Sequence, residues 1–217
     1  IWNHPPAGIF VGAAENVVFE KNVIKFMGST GIDLYYGTKN CKVNGNLVTD
    51  ISGNGISIAK FFSDEQEEEF IPYDPEDKRD VCTGDTISNN VVKNIGTDYF
   101  GSCAIAAGYP AEVEIVHNHI SDVPYTGISL GFGWSQAPNA MHDNYVAYND
   151  ISDAAKIMVD GAGIYTLSMQ PGTLIEYNKI YNIKRTPWSV RPAPVAGIYC
   201  DHGSSGTEDN PFVIRKN

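Results

Sequence analysis

Asp160-Gly-Ala-Gly-Ile-Tyr-Thr-Leu167 and Ala196-Gly-Ile-Tyr-Cys-Asp-His-Gly203 share a Gly-Ile step with an aspartate close to it. The step recurs upstream as Gly8-Ile9, Gly31-Ile32, Gly55-Ile56 and Gly127-Ile128, with Ala104-Ile105 standing in once. Gly8 to Gly31 is 23 residues, Gly31 to Gly55 is 24, Gly55 to Ala104 is 49 and Ala104 to Gly127 is 23, so one interval is a doubled period. Self-similarity of this length marks a repeat architecture, in which each unit is too small to close its own core and must stack on its neighbours.

A second landmark follows each start: an Asn, one residue, then Ile or Val, as in Asn22-Val-Ile24, Asn90-Val-Val92, Asn118-His-Ile120, Asn149-Asp-Ile151 and Asn178-Lys-Ile180, with Asn46-Leu-Val48 as a variant. Between the landmarks lie short, β-branched, alternating segments with no 3.6-residue period, so strands of a few residues bounded by Gly, Asn and Asp turns are expected. Asn at one place in successive rungs suits a left-handed bend and an amide that bonds along the stack. Gly at the rung start offers a bend without a Cβ. No helical half appears in any period, which excludes leucine-rich and ankyrin repeats. The pattern resembles the right-handed parallel β-helix, an all-β solenoid of about seven or more rungs with loop insertions, forming one domain over residues 1–217. No capping element precedes the first rung, so the expectation is a piece of a longer chain.

Alternation along a strand assigns each residue a side. Ile9, Ile32, Ile56, Ile105, Ile128, Ile164 and Ile198 form an inward column, and Phe10, Asp33, Ser57, Ala106, Ser129, Tyr165 and Tyr199 the outward one beside it. A core does not explain the last two, which are bulky and read as solvent-facing. Asp33 reads as a surface residue. Insertions interrupt the rungs at about Phe61 to Thr83, which holds most of the acidic excess and reads as a solvated loop, after Gly131-Phe-Gly-Trp134, and at Lys184 to Val195. On one side of a solenoid such insertions wall off a groove.

The formal charge of -11 and the 42% hydrophobic content fit a folded protein that does not engage nucleic acid, which needs clustered Lys and Arg. No apolar run is long enough to span a membrane, and no signal peptide is visible in the chain. Cys41, Cys82, Cys103 and Cys200 lack the spacing of a zinc site and read as buried free thiols, with one disulfide as the alternative. His117 and His119 lack a third ligand and read as surface residues. Neither metal nor cofactor is expected, and the oligomeric state is open.

Sugar cleavage uses a carboxyl pair, one protonated and one ionised, with aromatic faces to hold the rings. The last third of the chain supplies Asp160 and Asp201 with Tyr165, Tyr199, Trp134, Trp188 and His202 nearby in sequence. The strings Tyr125-Thr-Gly-Ile-Ser-Leu-Gly-Phe-Gly-Trp134, Asp160-Gly-Ala-Gly-Ile-Tyr-Thr-Leu167 with Gln170-Pro-Gly-Thr173, and Gly197-Ile-Tyr-Cys-Asp-His-Gly-Ser-Ser205 resemble the β-helix glycoside hydrolases of family 141, the α-L-fucosidase and xylanase type. The resemblance implies a bacterial, often exported enzyme, secreted, periplasmic or at the cell surface, that acts on plant cell-wall polysaccharide. It makes Asp160 and Asp201 the catalytic pair; beside them, the aromatic residues and His202 are candidate substrate contacts, since outward aromatics next to acids favour a sugar groove. On a straight strand the two acids would stand roughly 20 Å apart, so the Gly161-Ala-Gly163 step has to fold the chain back. Two readings stand beside hydrolysis. One is a polysaccharide lyase, for which Lys60 and Arg191 are the nearest bases; the other is a non-catalytic carbohydrate-binding or surface β-helix.

Overall fold

The computed structural model describes residues 4–62, 71–189 and 192–217. The acidic run Asp64 to Glu69 and Arg191, the second candidate lyase base, lie outside them. The chain coils through three parallel sheets. The first contains Ala7–Gly12, Thr30–Tyr36, Ile56–Ile58, Ile105–Ala107, Ile128–Leu130, Gly161–Thr166 and Val195–Cys200 in that order. A seven-stranded and a six-stranded sheet complete the triangle, and each strand pairs with its counterpart one rung away. This is the right-handed parallel β-helix anticipated from the repeat.

Both columns are in register. Ile9 pairs with Ile32, Ile32 with Ile56, Ile56 with Ile105, Ile105 with Ile128, Ile128 with Ile164 and Ile164 with Ile198. The five central isoleucines, Ile32 to Ile164, are fully buried in one continuous core.

The Gly column owes its existence to close stacking. Gly31, Gly55, Gly127 and Gly163 have ordinary negative φ, so no bend requires them. A Cβ on Gly127 would stand 2.5 Å from the Gly163 carbonyl oxygen and 2.8 Å from Ile151 Cγ2, and one on Gly55 would stand 2.6 Å from the Ala104 oxygen. Backbone of the next rung leaves no room. Gly127→Ala should therefore cost about 1–3 kcal/mol through overpacking, read as a lower urea midpoint with an unchanged m-value; an unchanged midpoint would contradict this cause.

The Asn landmark is also sharpened. Asn22, Asn46, Asn90, Asn118, Asn149 and Asn178 do bond along the stack: each backbone N–H donates to the next Asn Oδ1 at 2.9–3.1 Å, ending on Asn217 at 3.0 Å. The left-handed bend belongs instead to the preceding residue, at Lys21, Gly45, Asn89, His117, Tyr148, Tyr177 and Lys216, with φ from +55° to +68°. The bend aims the next N–H and amide along the fibre direction. On this corner His117 stacks on Tyr148 and Tyr148 on Tyr177, at 4.9 and 5.2 Å with the rings nearly parallel.

The described second half of the first insertion is mostly solvated, as Asp74 and Glu76 to Asp80 are exposed, but it is anchored at both ends. Tyr73 and Val81 are buried in the main core, and the Tyr73 carbonyl accepts from Ala140 N–H at 3.0 Å. All four cysteines are free, and Cys41, Cys82 and Cys103 are buried. Among the described residues no His, Cys, Asp and Glu cluster has the form of a metal site, and no helix is long and apolar enough to cross a membrane.

Candidate active site

The outer face of the first sheet is not flat. Phe10, Asp33, Ser57, Ala106, Ser129, Tyr165 and Tyr199 follow one another across the rungs as the alternation requires. Small side chains in the middle leave a trough, and the insertions raise its walls. Phe61 and Phe62 meet Phe132 at 5.6 and 6.5 Å between ring centroids, and Phe132 meets Trp134 at 5.4 Å. The result is a groove of about 460 Å³ floored by Ala106 and Ser129 and closed at one end by Tyr125, Trp134 and Tyr165. Its size and apolar walls suit a small-molecule or sugar site.

Asp201 does not itself line the groove but stands behind that end, directly after the last strand of the sheet and bonded to Tyr165 and Trp134. Its backbone N–H donates to the Thr166 carbonyl at 3.0 Å, which sets its direction. The Tyr165 hydroxyl donates to Oδ2 and the Tyr199 hydroxyl to Oδ1, the latter at 3.1 Å. The Trp134 indole and the His202 backbone N–H add two further donors. Burial works to raise the carboxyl pKa, but these four donors outweigh it and the net shift is downward. Asp201 is thus a half-buried anion held by hydrogen bonds.

The tyrosines respond in the opposite sense. Burial, then the hydrogen bond to Asp201, then the charges of Asp201 and Asp160 push the Tyr199 hydroxyl up to about 12. Burial followed by the Asp201 hydrogen bond pushes Tyr165 further still, with charge contributions from Tyr125, Asp201 and Asp160. These phenols stay neutral donors throughout the accessible pH range. Tyr165 is not solvent-facing as its column position suggested: only 5% of it is exposed, because Ala162, Leu167, Trp134 and Tyr199 form a small second cluster around it.

Asp160 precedes the neighbouring strand, so in backbone terms the acids stand at opposite ends of paired strands. The Gly161-Ala-Gly163 step does not fold back; it is regular strand, in register with Val195 and Ala196. The bend sits at Asp160 itself, whose φ is +66° and whose N–H donates to the Pro194 carbonyl at 2.8 Å. Its own carbonyl accepts from the Tyr125 hydroxyl at 2.6 Å. The charges of both acids act on the hydroxyls of Tyr125, Tyr165 and Tyr199.

The structure therefore gathers Asp201, Tyr165, Tyr199 and Trp134 and brings the His202 backbone, though not its exposed ring, to the cluster. Trp188 is 77% exposed and makes no contact with the cluster among the described residues. Tyr125, Phe61, Phe62 and Phe132 are groove residues that sequence reasoning passed over. Tyr125 had a signal, since it opens the first string of the family resemblance. Asp33 is not the surface residue expected: it is fully buried and its carboxylate meets His4.

Fold and groove together define a right-handed parallel β-helix with a walled, aromatic-lined cleft, two of whose lining residues, Tyr165 and Trp134, bond to the Asp201 carboxylate. Residues 1–63 match the family model described as a right handed beta helix region. Over 94% of its length the chain superposes on a solved glycoside hydrolase with a TM-score of 0.87 and 38% sequence identity, and it spans 34% of that protein. None of the curated proteins compared matches it. The chain is thus glycoside hydrolase-like in fold along almost its whole length.

Proposed function

We propose that the groove hydrolyses glycosidic bonds in a plant cell-wall type polysaccharide or oligosaccharide, with Asp201 and Asp160 as its carboxyl pair. The observation that carries this reading is the Asp201 carboxylate, held ionised by four donors, two of which, Tyr165 and Trp134, line the aromatic-walled cleft. An anion so stabilised is a poor proton donor and a good partner for the positive charge that develops at the anomeric carbon. Asp201 therefore acts as nucleophile or base. Asp160, the second acid of the family resemblance, is the member of the pair left to supply the proton to the leaving oxygen. Trp134, whose ring borders the groove, offers the sugar a face.

Release of reducing ends from a panel of wall polysaccharides tests the activity; binding without release would leave a carbohydrate-binding β-helix, and a chelator-sensitive rise in ultraviolet absorbance with uronate polymers would indicate a lyase. The donor arrangement makes a pH prediction. Tyr165→Phe removes a hydrogen bond that lowers the Asp201 pKa, so that pKa rises. Activity that needs the anion falls as pH drops through the pKa, so the acid limb of kcat/KM should move to higher pH in the variant. An unmoved limb would separate Asp201 from the rate.

A further inference from the structure

The groove has a second polar end. Asp33 occupies the outward column, where its neighbour one rung on is Ser57 and the next is Ala106. Small residues suffice to floor the trough, and a carboxylate removed from water is costly unless partnered. Yet Asp33 is wholly buried, with Oδ2 against His4 Nε2 and Oδ1 without a hydrogen-bond partner among the described residues. The His4 ring also packs on Tyr35 at 3.9 Å, and Tyr35 packs on Phe10 at 5.5 Å. His4 lines the same groove that Trp134 and Tyr165 line at the other end. A carboxylate that holds one ring nitrogen fixes the ring's orientation and leaves the other nitrogen, Nδ1, for a ligand.

We infer that His4, oriented by Asp33, is a sugar-hydroxyl binding site remote from the point of cleavage, and that the groove takes a chain of several sugar units. This rests on the reading of the groove as a carbohydrate site. Asp33, Ser57, Ala106, Ser129 and Tyr165 are successive rungs. At about 4.8 Å per rung the two ends are roughly 19 Å apart, beyond the reach of a single sugar or a disaccharide. Aromatic rings border the interval, which is the lining an extended neutral glycan needs.

Calorimetric binding of disaccharides and hexasaccharides prepared from xylan, mannan and β-glucan tests this with the whole chain. One hexasaccharide should bind about tenfold or more tighter than its disaccharide, the worth of about one added polar contact. His4→Ala should remove that length preference and leave disaccharide binding unchanged, while His4→Gln, which keeps a donor for Asp33, should retain part of it. Equal binding of both lengths, or an equal loss on both in His4→Ala at an unaltered thermal midpoint, would overturn the inference. Length-dependent binding that needs His4, without bond cleavage, would uphold it while ending the hydrolysis reading. Failure of every glycan to bind would end both.

Discussion

Asp201→Asn is expected to lower kcat/KM for glycoside hydrolysis by on the order of 10³-fold or more, the scale on which loss of a catalytic acid, base or nucleophile acts. The amide keeps the shape but not the charge, so the oxocarbenium-like transition state loses its anionic partner. The four donors that now converge on a carboxylate would meet an NH₂ on one side. The Tyr165 and Tyr199 hydroxyls can rotate to accept, which limits the structural cost to about 1 kcal/mol. Thermal melting should therefore be nearly unchanged while activity collapses. Asp160→Asn should differ in kind: with an activated aryl glycoside, whose leaving group needs no proton, the variant should recover much of its rate, whereas Asp201→Asn should not. Full activity in Asp201→Asn would remove the proposed mechanism.

The largest effect on stability is expected at Asn118, the centre of the amide ladder. Its Oδ1 accepts from Asn90 N–H at 3.1 Å and from Asn90 Nδ2 at 3.0 Å. Its Nδ2 donates to the Ile87 carbonyl at 2.9 Å and to Asn149 Oδ1 at 3.0 Å. The residue is 1% exposed, so water cannot replace these partners. Asn118→Ala strands two donors of Asn90 and the Ile87 carbonyl, at about 1–3 kcal/mol for a buried unpaired group with partial relaxation. A total of about 3–5 kcal/mol follows, a fall in Tm of roughly 10 °C for a chain of this size. Asn22→Ala, at the exposed end of the ladder where the side chain makes one amide bond, should cost about 1 kcal/mol or less. Equal losses at the two positions would show that the ladder does not stabilise the stack by buried bonds.

Much of the coil was legible because a period of two along each strand and of about one rung along the chain leaves little freedom. Once Ile32 points inward, Ile56, Ile105, Ile128 and Ile164 must do the same, and Asp33 to Tyr165 must line the other side. The position of Asp201, just past Tyr199 at the end of the last strand, was legible for the same reason. Periodicity failed by a single residue at the corners, because an Asn that bonds along the stack and an Asn that adopts positive φ look alike as letters. Only backbone geometry assigned the bend to Lys21, His117 and Tyr148.

Sequence alone, through a repeat that each rung must obey to bury its apolar edge, determined the parallel β-helix and its inward and outward columns. The tertiary structure decided what stands over the columns. Insertions such as Phe61 to Tyr73 and Phe132 to Trp134 carry no period, so nothing in their letters says which rung they cover; packing buried Tyr165, walled the groove and brought the Trp134 indole to Asp201. It also set His4 on Asp33, across 29 residues, putting an apparent surface acid behind a histidine that lines the same cleft.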